Sequence, residues 1–106
     1  GVANWPVIVA LYDHLLTRTR SPVIVLNRAV AFAEVEGPAA ALAAIAPLAA
    51  DKRMQTYQPY WAARAHLLAR SGALADARDA FTLAIGLSTD PAVRSWLQDQ
   101  LALLSS

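Results

Sequence analysis

A chain of 106 residues and 11.3 kDa is one domain's worth of polypeptide, long enough to bury roughly two-thirds of its unfolded surface in a single core. With 57% hydrophobic and 16% charged residues it is too apolar for disorder, and a net charge of +1 gives no field for gathering nucleic acid or an anionic membrane. The absence of cysteine removes disulfides, thiolate metal sites and a thiol nucleophile, which suits a reducing compartment such as the cytoplasm. The longest apolar run, residues 38–50, is broken by Pro47 and falls short of the roughly 20 residues of a membrane helix. Gly1-Val2-Ala3-Asn4 carries no Met and no basic stretch leading into an apolar one, so it reads as an excision boundary rather than a signal peptide. A mean hydropathy of +0.36 points the same way, to apolar surface normally covered by a longer protein or by a partner.

Six helices follow from the punctuation. Asn4 caps a first helix whose apolar positions Ile8, Leu11, Tyr12 and Leu15 recur at three and four, ending near Arg18. Ser21 before Pro22 offers a capping hydroxyl and a first-turn proline for a second helix, which Gly37-Pro38 stops after Val35. An alanine-rich third helix runs to about Ala49, and residues 51–58 form a linker in which Asp51 caps a short turn. From Pro59, Tyr60, Ala63, Leu67 and Leu68 line a fourth helix that stops at Ser71-Gly72; Leu74, Ala77, Phe81, Ala84 and Ile85 stripe a fifth ending near Ser88. Asp90 caps a last helix with Val93, Trp96, Leu97, Leu101 and Leu104 on one side. The β-branched runs at residues 7–9 and 23–25 sit directly after helix-start signals and read as first turns of helices rather than strands.

The helices repeat. Tyr12 and Phe81 each stand ten residues before a helix-opening proline, Pro22 and Pro91, and Tyr12, Ile45 and Phe81 recur at intervals of 33 and 36 residues. A period near 34 in paired helices is the tetratricopeptide spacing. The pair at 58–89 fits it best, with Trp61, Ala65 and Leu68, a turn at Gly72, then small Ala77, aromatic Phe81 and small Ala84. Small residues let paired helices approach and the aromatic fills the gap between repeats. The whole chain, 1–106, then reads as one all-α domain, a short stack of antiparallel helix hairpins. It comprises a half repeat at 4–18, a degenerate repeat at 22–49, the full repeat at 58–89 and a capping helix at 91–104.

Chemistry is thinly represented. His14 and His66 lie in different helices without a ligand at i+4, the serines stand at caps and turns, and no phosphate loop or nucleophile elbow is present, so neither an enzyme, a metal site nor a cofactor is expected. Binding is the better prospect. The repeat pattern turns Asn27, Ala31 and Glu34 of one hairpin, and Ala62, His66 and Arg70 of the next, toward a groove where Asn, His and Arg clamp a carboxylate or peptide backbone. Arg64 replaces the usual Leu, and its expected partner is Glu34 in a structural polar pair between hairpins. The aromatics Trp5, Tyr12, Tyr57, Tyr60, Trp61, Phe81 and Trp96 are expected mostly in the core, with Trp5, Tyr57 and Trp96 placed to anchor an interface instead.

The stretch Trp5-Pro6-Val7-Ile8-Val9-Ala10-Leu11-Tyr12-Asp13, then Ser21-Pro22, Leu26-Asn27-Arg28-Ala29-Val30-Ala31, Ala33-Glu34 and Gly37-Pro38 resembles the C-terminal extension of a group of bacterial extracytoplasmic-function sigma factors. So does Ala63-Arg64-Ala65-His66-Leu67-Leu68 with Gly72 and Ala77. The resemblance covers nearly the whole chain and is most specific at residues 26–31; it departs most at 55–59 and in the third helix. It implies a tetratricopeptide-like regulatory domain of a transcription initiation factor, acting through contacts with the sigma domains of the parent chain, with core RNA polymerase or with a small YCII-like protein. No direct DNA contact is implied for this piece. Asn27, Arg28, Glu34 and Arg64 are the polar residues that belong to the family pattern, and Asn27, Arg28, His66 and Arg70 are the candidate partner contacts. The alternative is a free-standing tetratricopeptide adaptor that binds a peptide segment of an unrelated protein.

Overall fold

The computed structural model describes residues 4–104, and over them the protein is all-α: seven helices and one 3-10 turn, with no strand. The helices are α1 (Trp5–Leu16), α2 (Pro22–Glu36), α3 (Pro38–Ile45), α4 (Lys52–Gln55), α5 (Gln58–Arg70), α6 (Leu74–Leu87) and α7 (Pro91–Leu104), and the 3-10 turn spans Ala46–Ala50. They form two compact units, Gly1–Ala50 and Asp51–Ser106. In the first, α2 packs against α1 and α3; in the second, α6 packs against α5 and α7.

Local chemistry accounts for most boundaries. The Val7 backbone N–H donates to the Asn4 side chain at 3.4 Å, and the Ala92 N–H to Asp90 Oδ1 at 2.8 Å, so both expected caps are in place. Ser21 departs from expectation: its hydroxyl makes no capping bond, and α2 opens instead on proline and on the Ser21 carbonyl, which accepts from Val25 at 3.1 Å. The α2–α3 junction is a single residue. Gly37 serves both helices at φ +92° and ψ 166°, a conformation open essentially to glycine alone. Its N–H donates to the Ala33 carbonyl at 2.9 Å and its own carbonyl accepts from Ala41 at 3.3 Å. At the end of α5, Gly72 takes φ +89° in a Schellman turn, with Ala73 N–H donating to Leu68 O at 2.9 Å and Gly72 N–H to Ala69 O at 3.2 Å.

Two expectations are corrected. The third helix does not continue to Ala49: Pro47 has no N–H to extend the ladder, and the backbone tightens into the 3-10 turn after Ile45. The 51–58 stretch is not all linker, because Asp51 caps the one-turn helix α4 and Met54 from it is buried.

The cores are built from small residues at helix contacts. Leu26, Ala29, Ala31, Ala33, Ala41, Ile45 and Leu48 are buried in the first unit, and Tyr60, Ala65, Leu67, Leu68, Ala77, Ala80, Phe81, Ala84 and Leu97 in the second. Alanine at the contact lowers the interaxial distance and leaves room for the few large side chains to interlock.

Candidate functional site

In the first unit Arg28 of α2 is half-buried, whereas Asn27 and Glu34 of the same helix are exposed. Arg28 reaches across to α1, where its Nε donates to Asp13 Oδ1 at 2.6 Å, and its guanidinium carbon lies 4.6 Å from the centre of the Phe32 ring, one turn along its own helix. A guanidinium held by a carboxylate on one side and a ring face on the other is a clasp between α1 and α2. Arg28, expected as a partner contact, therefore already has an intramolecular role. Asn27 is exposed, and with Val30 and Glu34 it forms a solvent-facing strip at spacings of three and four. Ala31, expected on that strip, is buried instead. On a 3.6-residue period Ala31 lies on the opposite side of α2 from Leu26, Ala29 and Ala33, and a helix that packs against both α1 and α3 buries more than one face.

In the second unit Ala62, His66 and Arg70 follow one another at i, i+4 and i+8 on α5, with His66 and Arg70 exposed and Ala62 half-buried. This is a linear array able to present an imidazole and a guanidinium to an extended anionic or carbonyl-rich ligand. Arg64 is half-buried on the same helix, and Glu34 is exposed on α2 of the first unit. Trp61 is taken up structurally: its indole N–H donates to the Gln55 carbonyl at 2.8 Å, and the Tyr60 ring meets it edge-on at a centroid distance of 5.1 Å and 86°. That bond ties the end of α4 to the start of α5. Among the aromatics expected in the core, Tyr60 and Phe81 are buried, whereas Tyr12 is half-buried; of the three offered as interface anchors, Trp96 is the exposed one.

Asp51 and Arg53 perturb each other's titration. The Asp51 carboxylate accepts from the Arg53 side chain through Nε at 3.1 Å and Nη2 at 2.7 Å, and from the Arg53 backbone N–H at 2.9 Å. The guanidinium fork first, then the backbone bond, hold its pKa below the ordinary carboxylate range, and the same fork raises that of Arg53. His14 and His66 are exposed on α1 and α5, and the described residues contain no group of three His, Asp or Glu arranged to hold a metal ion. No described helix is long and apolar enough to cross a membrane.

Sequence reasoning missed two features. Asp13 was legible as a neighbour of His14 but not as the partner of Arg28, because the two meet across the α1–α2 turn, 15 residues apart. The other is the outer face of α1, where Val7, Leu11 and Leu15 stand exposed. Its signal was present: Asp13 and His14 are the only acidic or basic side chains in the helix.

No protein-family model matches the chain, and no solved structure matches it. Over 103 residues, 97% of its length, the chain is 40% identical to an uncharacterized protein of Rhizobium meliloti (strain 1021). That stretch is 24% of the relative's length, so the chain spans about a quarter of the curated protein it matches.

Proposed function

We propose that this chain is a protein-interaction and regulatory module of an extracytoplasmic-function sigma factor, working in the bacterial cytoplasm at transcription initiation through contacts with sigma domains, core RNA polymerase or a small YCII-like partner. The observation that carries the reading is how the resemblance-bearing stretch folds. Residues 5–38 form α1, α2 and the opening of α3. Within the 26–31 block, Leu26, Ala29 and Ala31 are core, Arg28 clasps α1, and Asn27 and Val30 face solvent. A block with packing, clasping and presenting residues interleaved is what a helical interaction module needs. A relative about four times as long as the shared stretch is also in keeping with a module appended to other domains.

The near-neutral charge suits a piece that leaves DNA to other domains. Binding is proposed to run through exposed polar side chains on apolar helices: Asn27 on α2, and His66 with Arg70 on α5. The second reading, a tetratricopeptide adaptor for a peptide tail of an unrelated protein, draws on the Ala62, His66, Arg70 array, whose spacing suits an extended segment.

The test is a titration of the purified chain against the sigma region encoded in the same reading frame, with and without core polymerase. Saturable binding to the sigma region, weakened at least about fivefold by Asn27→Ala or His66→Ala, about 1 kcal/mol per contact, is the expected result. Binding to polymerase alone makes it a recruitment module. Binding to neither overturns the sigma-factor reading in favour of the adaptor.

A further inference from the structure

The two units contain three helices in equivalent repeat positions, and one of them is bare. A shift of 69 residues carries Pro22 onto Pro91 and Tyr12 onto Phe81, and with them Ile8, Leu11 and Leu15 onto Ala77, Ala80 and Ala84. A shift of 33 carries Ile8, Tyr12 and Leu15 onto Ala41, Ile45 and Leu48. In α6 the stripe is closed: Ala80 is 3% exposed and Ala84 0%, and Ala77 and Phe81 are buried as well. In the third helix and its 3-10 extension Ala41, Ile45 and Leu48 are buried too. In α1 the same stripe is open, with Leu11 61% and Leu15 44% exposed, Ile8 and Tyr12 only half-buried, and Val7 beside them 50% exposed.

What closes the stripe elsewhere is consistent. α6 is packed between α5 before it and α7 after it, and α3 packs on α2 before it; α1 packs on α2, the helix that follows it. In both closed cases the helix directly preceding in the chain packs on the striped one, joined to it through a positive-φ glycine, Gly37 or Gly72. α1 itself is apolar nearly all round, which in water is the signature of a helix covered on more than one side.

We propose that the Ile8, Leu11 and Leu15 face of α1 is the seat of a further helix, supplied in cis by the polypeptide immediately N-terminal to α1 in a longer protein and completing the first repeat pair. The chemistry of the seat also specifies the occupant. Where α6 presents alanines, α1 presents Ile8, Leu11 and Leu15, so the covering helix carries small residues at i, i+3 and i+4 to reach a comparable interaxial distance. A single helix hairpin half cannot bury its own face, which is the reason repeat arrays add neighbours or caps. The inference uses only the repeat geometry and takes nothing from the sigma-factor role.

The chain has no cysteine of its own, so Leu11→Cys reports this face at a position where the substitution disturbs no core. The experiment compares the rate of thiol modification at position 11, read by peptide mass spectrometry, in this 106-residue chain and in the full-length polypeptide of its reading frame. Hydrogen exchange is followed over the one repeat period, about 34 residues, that precedes α1. The expected result is modification at least about tenfold slower in the full-length protein, unchanged on dilution, together with a protected helix in that preceding segment whose protection is lost in Leu11→Asp. Equal rates in the two proteins overturn the proposal. So does a reading frame with no preceding segment, protection that disappears on dilution and so comes from a second molecule, or a preceding segment that exchanges freely.

Discussion

The two units solve one packing problem with different materials. In the second, α6 lies between α5 and α7, its stripe is small residues around one buried phenylalanine, and an aromatic pair with an indole hydrogen bond locks the start of α5. In the first, α2 takes the central place, the stripe of α1 is large and open, and the α1–α2 contact is fastened by a charge clasp from Arg28 to Asp13 over the Phe32 ring. Small residues at a contact let a helix pair finish its own burial. Large residues on an open face require a further element, and a polar clasp at the rim holds the pair in register.

The largest effect that sharpens this contrast is at the equivalent aromatics. Phe81→Ala should cost about 3–5 kcal/mol as a full core truncation, whereas Tyr12→Ala, at its half-open counterpart, should cost only about 1–2 kcal/mol. Urea denaturation of the two variants checks this, and equal losses would erase the distinction between a closed and an open stripe.

The next effect sets the two glycine turns against each other. Neither Gly37 nor Gly72 has an atom within 4 Å of where a Cβ would stand, so substitution acts through backbone strain alone. Gly37→Ala, in a region that excludes other residues, should lose about 1–3 kcal/mol. Gly72→Ala, in a left-handed helix-terminating turn, should lose about 1–2 kcal/mol. Thermal melts rank them, and a neutral Gly37→Ala would break the account of the α2–α3 junction.

The clasp is smaller. Arg28→Ala should destabilise by about 1 kcal/mol, since a partly exposed ion pair and a cation–ring contact are each worth a fraction of that to about 1 kcal/mol. Asn27→Ala beside it should stay within about 0.5 kcal/mol. The Arg28 effect should shrink in 1 M salt; insensitivity to salt would show that the stacking on Phe32, not the pair with Asp13, holds the helices.

The smallest effect is local to α4. Because the folded carboxylate of Asp51 titrates below its unfolded value of about 3.9, its contribution is fully present above that pH and is lost as pH falls through the lowered folded value. Amide chemical shifts of Lys52–Gln55 should therefore move in acid, below the ordinary aspartate range, and the movement should vanish in Asp51→Asn.

Much of this was legible in the sequence because it rests on local rules. Asn4 and Asp90 as caps, Gly72 as a turn, and Ala77, Phe81 and Ala84 as one stripe all follow from propensity and period, which act within a few residues. The alanine-rich run continues past Ile45 and predicts a longer α3, whereas Pro47 within it turns the backbone into the 3-10 turn. The bond from Arg28 to Asp13 is not legible in the same way, because its partner lies across a turn and no local pattern announces such a pairing. Ser21 shows the opposite limit: a residue of the right type at a cap need not make the bond when proline has already removed one of the orphan donors. Of the expected binding strip, Asn27, His66 and Arg70 are at the surface as their spacing predicts, and Ala31 is not, since α2 packs against two helices and buries more than one face.

The contrast between a closed and an open repeat is tested most directly by native-state hydrogen exchange on the 106-residue chain, resolved to α1 and α6. The account predicts that the amides of α6 exchange through the highest-energy openings of the molecule, while those of α1 exchange through a lower-energy local opening that releases its uncovered face. Equal protection of the two helices would contradict it, because α1 would then be as complete in its packing as α6.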